Sequence, residues 1–382
     1  MNILFLTSKN PYSDKPFGGG AETSCRLMAE NMSALGHNVI YLCEIAAKGD
    51  IERAREEGVR LHGYNTLFFS RFVSSRQSRV LALLTVILTN KINILYCFFE
   101  LRNLQLALLA RKYSPRLRVV MRMAGLAWHD DILKRPNRKA RYQKAFNSID
   151  CVNFIHDNLE TMVRQKLNEL DMDVDFKRSF VLDVGTKAEA NVPPRTYTAG
   201  TLLKLVMASR FADYHKRQDI LIDAMSLLGA RSKVSLTFIG EGKKLDESKE
   251  KVARLGLEER VEFCPFLPQD VLWSRLADHD LLCHCADYEG LGKTIVESMS
   301  IGLPVLVSDV SPMNAYVTHG KTGFLSANTP QDWARTIADI EANPQKLPEV
   351  SEAALAYARK NFDHMRKTEI YIEEFGKLIS ER

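Results

Sequence analysis

Short apolar runs alternate along the chain with stretches in which apolar residues recur every three or four positions. Runs at residues 3–6, 38–43, 93–97, 117–121 and 151–155, and again at 205–209, 234–239, 261–264, 280–283 and 304–308, read as buried strands. Between them the spacing turns helical. Leu27, Met28, Met32 and Leu35 follow the first run, Ile220, Leu221, Ala224, Met225 and Leu228 follow the run at 205–209, and Ile295, Val296 and Met299 follow the run at 280–283. Strand and helix in alternation predict an α/β fold with two parallel sheets. Residues 187–200 contain Pro193 and Pro194 and little apolar periodicity, which predicts a linker with the boundary near 195. One Rossmann-like domain is therefore expected at 1–195 and a second at 196–365.

Composition changes this picture little. At 382 residues the chain is long for one core and suits two, and 46% apolar with 26% charged residues is ordinary for a soluble protein. No run approaches the roughly 20 apolar residues of a spanning helix, and the opening Met1-Asn2-Ile3-Leu4 lacks a basic start, so a cytoplasmic protein is expected. Seven cysteines without a Cys-x-x-Cys pair argue against a disulfide framework. In Cys283-His284-Cys285 a strand would send the two thiols to one side and the imidazole to the other, so no metal site is expected.

Charge changes it more. From Arg71 to Lys144 there are 16 Lys and Arg against 3 Asp and Glu, although the whole chain carries only +5. Such a split points to an anionic surface or acceptor, either lipid headgroups or a polyprenyl diphosphate, or else to a solvated basic face. Peripheral contact with the inner face of a membrane follows from the first reading. The region has no nucleic-acid recognition motif, and its run at 80–88 reads as a packed helix, so nucleic acid is not an expected partner.

Candidate chemistry gathers at strand-to-helix turns. After the run at 280–283 come Glu289, Gly290, Leu291, Gly292, Lys293 and Thr294, then Glu297 among helical apolar positions. Backbone amides of Gly290, Gly292 and Lys293 would converge at a helix N-terminus, which favours a diphosphate. With Glu297 placed in the first helical turn, one carboxylate can face a sugar and the other a ribose diol. Arg210 and Lys216 flank the turn after the run at 205–209, where the carboxyl ends of parallel strands would bring them to the same crevice as Glu289. Gly18, Gly19 and Gly20 follow the first strand. Their spacing is not that of a dinucleotide fingerprint, so no NAD site is expected.

The stretch from Asp287 to Asp309 resembles the Glu-x7-Glu signature of retaining glycosyltransferases of family four, and the resemblance continues through His319-Gly320-Lys321-Thr322-Gly323-Phe324-Leu325. Arg210 and Lys216 match, in type and spacing, the pair that clamps the donor diphosphate in that family. The glycine loop at Gly19 and Gly20 is similar to the family's loop against donor phosphate and acceptor. The resemblance implies a GT-B fold, two Rossmann-like domains facing across a cleft, with a last helix from about 366 to 379 returning to the first. It implies a metal-independent transfer without cofactor, from a nucleotide sugar (a UDP-sugar ahead of a GDP-sugar) to a glycan, glycolipid or polyprenyl-linked acceptor, as in cell-surface polysaccharide biosynthesis. Front-face attack is implied, with Glu289 on the sugar, Glu297 on the ribose, and base contacts near Phe266, Leu267, Gly240 and Glu241. Where the family places a histidine, this chain aligns Ala124. His129 from a shifted loop, or Arg122, would then take its part, unless His129 merely caps a helix starting near Leu133. A GT-B epimerase or phosphorylase, and a non-catalytic nucleotide-sugar-binding protein, are the competing functions.

Overall fold

The computed structural model describes residues 1–13, 20–66, 76–98, 100–189, 197, 200–211 and 215–381. Gly18, Gly19 and Arg71 lie outside them, as does most of the expected linker. The chain divides into two compact units, Met1–Gly185 with His364–Arg382, and Thr186–Asp363. The division thus falls at Gly185, where the prolines had pointed to 195.

The first unit holds seven parallel strands, β1 (Asn2–Leu6), β2 (Asn38–Cys43), β3 (Arg60–Gly63), β4 (Ile94–Phe98), β5 (Arg118–Met123), β6 (Cys151–Phe154) and β7 (Ser179–Val181), in the order β3-β2-β1-β4-β5-β6-β7. Every residue of β4 and β6 is buried, as expected of strands covered on both faces. The final helix, His364–Ser380, belongs to this unit and lays Tyr371, Phe375 and Leu378 onto a cluster with Phe5, Tyr96 and Val120. Burying each of the three contributes about 2 kcal/mol. Its position is also set by polar contacts, since the Tyr371 hydroxyl donates to Asn153 Oδ1 (2.9 Å) and Asn31 Nδ2 donates to Thr368 Oγ1 (3.0 Å).

The second unit holds six parallel strands, β8 (Leu203–Ala208), β9 (Val234–Ile239), β10 (Val261–Cys264), β11 (Leu281–His284), β12 (Val305–Ser308) and β13 (Phe324–Ser326), in the order β10-β9-β8-β11-β12-β13. Strand alternation sorts its side chains onto two cores. Leu203, Leu205, Met207, Leu281 and Cys283 face one, and Val206, Ala208 and Leu282 the other. Among the described residues no helix is long and apolar enough to cross a membrane.

Six of the 16 cations between Arg71 and Lys144 find partners inside the first unit. Arg79 and Arg102 pair with Glu44, Arg111 with Asp150, and Arg135 and Arg138 with Asp131, while Arg118 donates to the Leu378 carbonyl of the last helix.

Candidate functional site

In the second sheet the chain order reverses between β8 and β11, so the loops leaving these two neighbouring strands open a crevice at their carboxyl ends. Arg210 and Lys216 leave β8, and Glu289 leaves β11. The two loops are stitched together. Lys216 and Ala286 form an antiparallel bridge, the Arg217 amide donates to the Cys285 carbonyl (3.0 Å) and the Asp287 amide to the His215 carbonyl (2.8 Å). His215 and Tyr288 stack with ring centres 4.5 Å apart. These contacts bring the Lys216 ammonium onto the Glu289 carboxylate as an ion pair, with both side chains nearly buried.

A third group completes this cluster. His284, the last residue of β11, is 2% exposed, and its Nε2 lies 2.6 Å from Glu289 Oε1 and 3.4 Å from Lys216 Nζ. A bare Nε2 lone pair at that distance would repel the carboxylate, so the proton sits on Nε2 and is donated to Glu289. Nδ1 is then an acceptor, buried and without a hydrogen-bond partner among the described residues. Burial, with Lys216 and His215 alongside, holds the imidazole well below the usual histidine range, so it is neutral. The alternation expected of 283–285 holds: Cys283 and Cys285 pack in one core while the ring faces Lys216 and Glu289. From sequence, His284 enters only as part of a possible metal site that strand alternation argues against, and no site role is assigned to it. Its place after the apolar pair Leu281-Leu282, at a strand end, was the signal available for a site role.

Two glycines have specific steric reasons. A Cβ on Gly240, at φ +147°, would stand 2.1 Å from the Ser209 carbonyl oxygen, so only glycine lets the end of β9 pass the end of β8. Gly292, at φ +72°, caps the helix Lys293–Ser300, and a Cβ there would meet Ile295 Cδ1 at 2.6 Å. The Tyr316 hydroxyl donates to the Leu291 carbonyl and holds this turn. Thr294 Oγ1 reaches the Ala208 carbonyl at 3.5 Å, and Gly290 is half-buried. The buried Gln218 donates to Ser209 Oγ (3.0 Å) and to the Arg210 carbonyl (2.9 Å), so the backbone under the exposed Arg210 is held. Around the same sheet edge lie exposed Glu241, Phe266 at 46% exposure, and half-buried Leu267.

Glu297 differs from its expected placement. The helix begins at Lys293, so Glu297 falls in its second turn, and the dipole at the N-terminus gives it little support. It is 1% exposed, with Lys293 Nζ at 3.4 Å and Gln269 Nε2 donating to Oε1. Burial raises its pKa, and Lys293 opposes the rise.

The remaining candidates lie in the first unit. Arg122 shares the face of β5 with Val120, and therefore points into the interior. It is 4% exposed, with Nη1 3.9 Å from Cys25 Sγ and Nε without a hydrogen-bond partner among the described residues. The cation offered from sequence for phosphate neutralisation is thus a buried one. His129 stands inside the helix Ala127–Lys134, not before one starting near Leu133, and its Nδ1 is 3.7 Å from Asp130. Gly20 opens the helix Gly20–Ala34. Sequence reasoning missed a polar cluster here. At the reversal between β1 and β4 the Ser8 hydroxyl donates to Glu100, and Asn103 Nδ2 donates to Glu100 Oε2 (2.8 Å) and Ser8 Oγ (3.2 Å). Among the described residues no three His, Cys, Asp or Glu side chains gather as a metal site.

Comparison with known proteins locates this geometry. Residues 197–360 match the family described as glycosyl transferases group 1. D-inositol 3-phosphate glycosyltransferase of Streptomyces coelicolor is 31% identical over 157 residues, 38% of this chain and 34% of that protein. A GDP-mannose-dependent alpha-(1-6)-phosphatidylinositol monomannoside mannosyltransferase of Mycolicibacterium smegmatis is 29% identical over 175 residues, 44% of this chain and 46% of that one. The chain spans about a third of the length of the first curated relatives it matches. Among solved structures, Anabaena HepE in complex with UDP and glucose superposes with a TM-score of 0.76 at 21% identity, covering 99% of this chain and 100% of the other. Sucrose-phosphate synthase from Thermosynechococcus elongatus does so with 0.77 at 15% identity, covering 100% of each. The strand ends that carry Arg210, Lys216, His284 and Glu289 thus lie in the segment that matches the glycosyl transferases group 1 model, on a chain with the GT-B fold.

Proposed function

We propose that the protein is a retaining hexosyltransferase of family four that moves a sugar from a nucleoside-diphosphate sugar to a hydroxyl of a glycan, glycolipid or polyprenyl-linked acceptor. The observation that carries the reading is the convergence of Lys216 and Glu289 at the reversal of the second sheet, inside the matched segment. In this reading Arg210 and Lys216 take the diphosphate, and the charge that builds on the leaving oxygen is stabilised by about 3 kcal/mol for each well-placed donor. Glu289 holds sugar hydroxyls. The helix start at Lys293 and Thr294 adds amides toward phosphate. Glu297 would meet the ribose by exchanging Gln269 for the diol. Front-face departure of the diphosphate, with its oxygen helping to deprotonate the acceptor, accounts for retention. UDP is the first donor base to try, since HepE is described with UDP and glucose, and the mannosyltransferase relative makes GDP the second.

The test is a panel of UDP- and GDP-sugars, measured first by calorimetry and then in turnover with and without acceptor alcohols, with the product anomer read by proton NMR. A product with inverted configuration would remove the retaining assignment. Conversion of donor alone to an isomeric nucleotide sugar would favour an epimerase. If no nucleotide sugar binds, the function itself falls.

Contact with an anionic membrane belongs to the same reading, because a lipid-linked acceptor sits there. The exposed Lys134, Arg141 and Lys144 remain available for it on the helices Ala127–Lys134 and Lys139–Phe146. Each is expected to contribute up to about 1 kcal/mol toward anionic lipid, fading with salt. Cosedimentation with anionic vesicles should exceed that with zwitterionic ones and drop when the three are changed to Ser. Binding indifferent to lipid charge, salt and substitution would leave a soluble acceptor.

A further inference from the structure

We propose that His284 is the positioning residue that keeps the Glu289 carboxylate in place when Lys216 leaves it for an anionic ligand. The inference rests on the reading above, in which Lys216 serves the diphosphate and Glu289 the sugar. That reading contains a conflict that the geometry exposes: the two residues are each other's ion-pair partners. An ammonium that turns toward phosphate gives up at least part of its hold on Glu289. A flexible carboxylate left with its charge nearly buried would then relax toward solvent or follow the cation.

His284 prevents this. It holds Glu289 Oε1 from a second direction at 2.6 Å, and it is anchored where it cannot follow Lys216. Its backbone is in β11, paired to Val307 of β12, and its ring is 2% exposed. Among the described residues, the charged and titratable groups around the ring are Lys216 and His215 from the loop after β8 and Glu289 from its own loop. A neutral donor suits the task. A charged imidazolium would compete with the ligand for Glu289 and repel Lys216, whereas a neutral N–H orients the carboxylate without cancelling its charge. The Nδ1, without a partner among the described residues, is consistent with the same role, because the ring gives its one proton to Glu289 and its other nitrogen stays buried.

Two measurements on the full chain test the proposal. In the first, 15N spectra of histidine-labelled protein, with His284 assigned by its loss in His284→Gln, should show a neutral ring protonated on Nε2 from pH 5 to 8. The signal should move in Glu289→Gln and persist on saturation with UDP or GDP. A ring that protonates near pH 6, that carries its proton on Nδ1, or that ignores Glu289→Gln overturns the proposal. In the second, His284→Leu should lower kcat for sugar transfer at least tenfold while affinity for the nucleoside diphosphate stays within about twofold. His284→Gln, whose amide can donate from nearly the same point, should restore most of kcat. Turnover at the wild-type level in folded His284→Leu, or no recovery in folded His284→Gln, also overturns it. If the wild type transfers no sugar from any donor, the functional reading fails, and the spectra alone still decide whether His284 holds Glu289.

Discussion

Glu289→Gln is expected to lower kcat for sugar transfer at least tenfold, roughly 1.4 kcal/mol in the barrier, with nucleotide affinity little changed. Gln keeps the shape of the side chain and an oxygen for the His284 N–H, but it removes the charge that Lys216 pairs with and that sugar hydroxyls would donate to. Glu289→Ala should be worse in a second way. It leaves the His284 N–H and the Lys216 ammonium, both largely shielded from water, without their shared acceptor, so thermal stability should fall as well as turnover. Comparing the two variants by steady-state kinetics and thermal unfolding separates chemistry from stability. Wild-type turnover in folded Glu289→Gln would refute the assignment.

Arg210→Ala and Lys216→Ala are each expected to weaken binding of the nucleoside diphosphate by about ten- to a hundredfold, corresponding to a charge-assisted contact of roughly 1.5–3 kcal/mol, and to leave binding of the nucleoside nearly intact. The two should differ in what else they do. Arg210 is exposed and its loop is held through Gln218, so its loss should spare stability. Lys216 also balances Glu289, so Lys216→Ala should lower kcat further, while the His284–Glu289 bond persists. Calorimetry with UDP against uridine, and GDP against guanosine, measures the difference directly. Equal weakening of diphosphate and nucleoside would move the clamp elsewhere.

The strands that could be read from the chain are those in the middle of the sheets and one edge strand, Val261–Cys264. The expected runs at 38–43, 234–239 and 261–264 coincide with β2, β9 and β10, and the others agree to within a residue or two at most ends. The three strands missed, Arg60–Gly63, Ser179–Val181 and Phe324–Ser326, all lie at sheet edges. An edge strand pairs on one side only, and its composition is correspondingly mixed. Arg60 is exposed, and all three residues of β7 are half-buried. A signal built from continuous apolar runs does not register such segments.

For the site, local order was enough to place glycine turns, cations and carboxylates at strand ends, because strand, turn and helix follow one another in sequence. Pairing was not local. Lys216 meets Glu289 because β8 lies beside β11, an adjacency set by the whole sheet. The same non-local packing encloses Arg122 in the core, shuts Glu297 in with Gln269, and ties cations such as Arg111 of the basic stretch to distant carboxylates. By itself the sequence determined the α/β class and the residue types at the turns, since periodicity and glycine steric demands act over a few residues. Which side chains share a charge, a proton or a buried pocket was decided only when the sheets assembled, because those energies depend on distance in space and on exclusion of water.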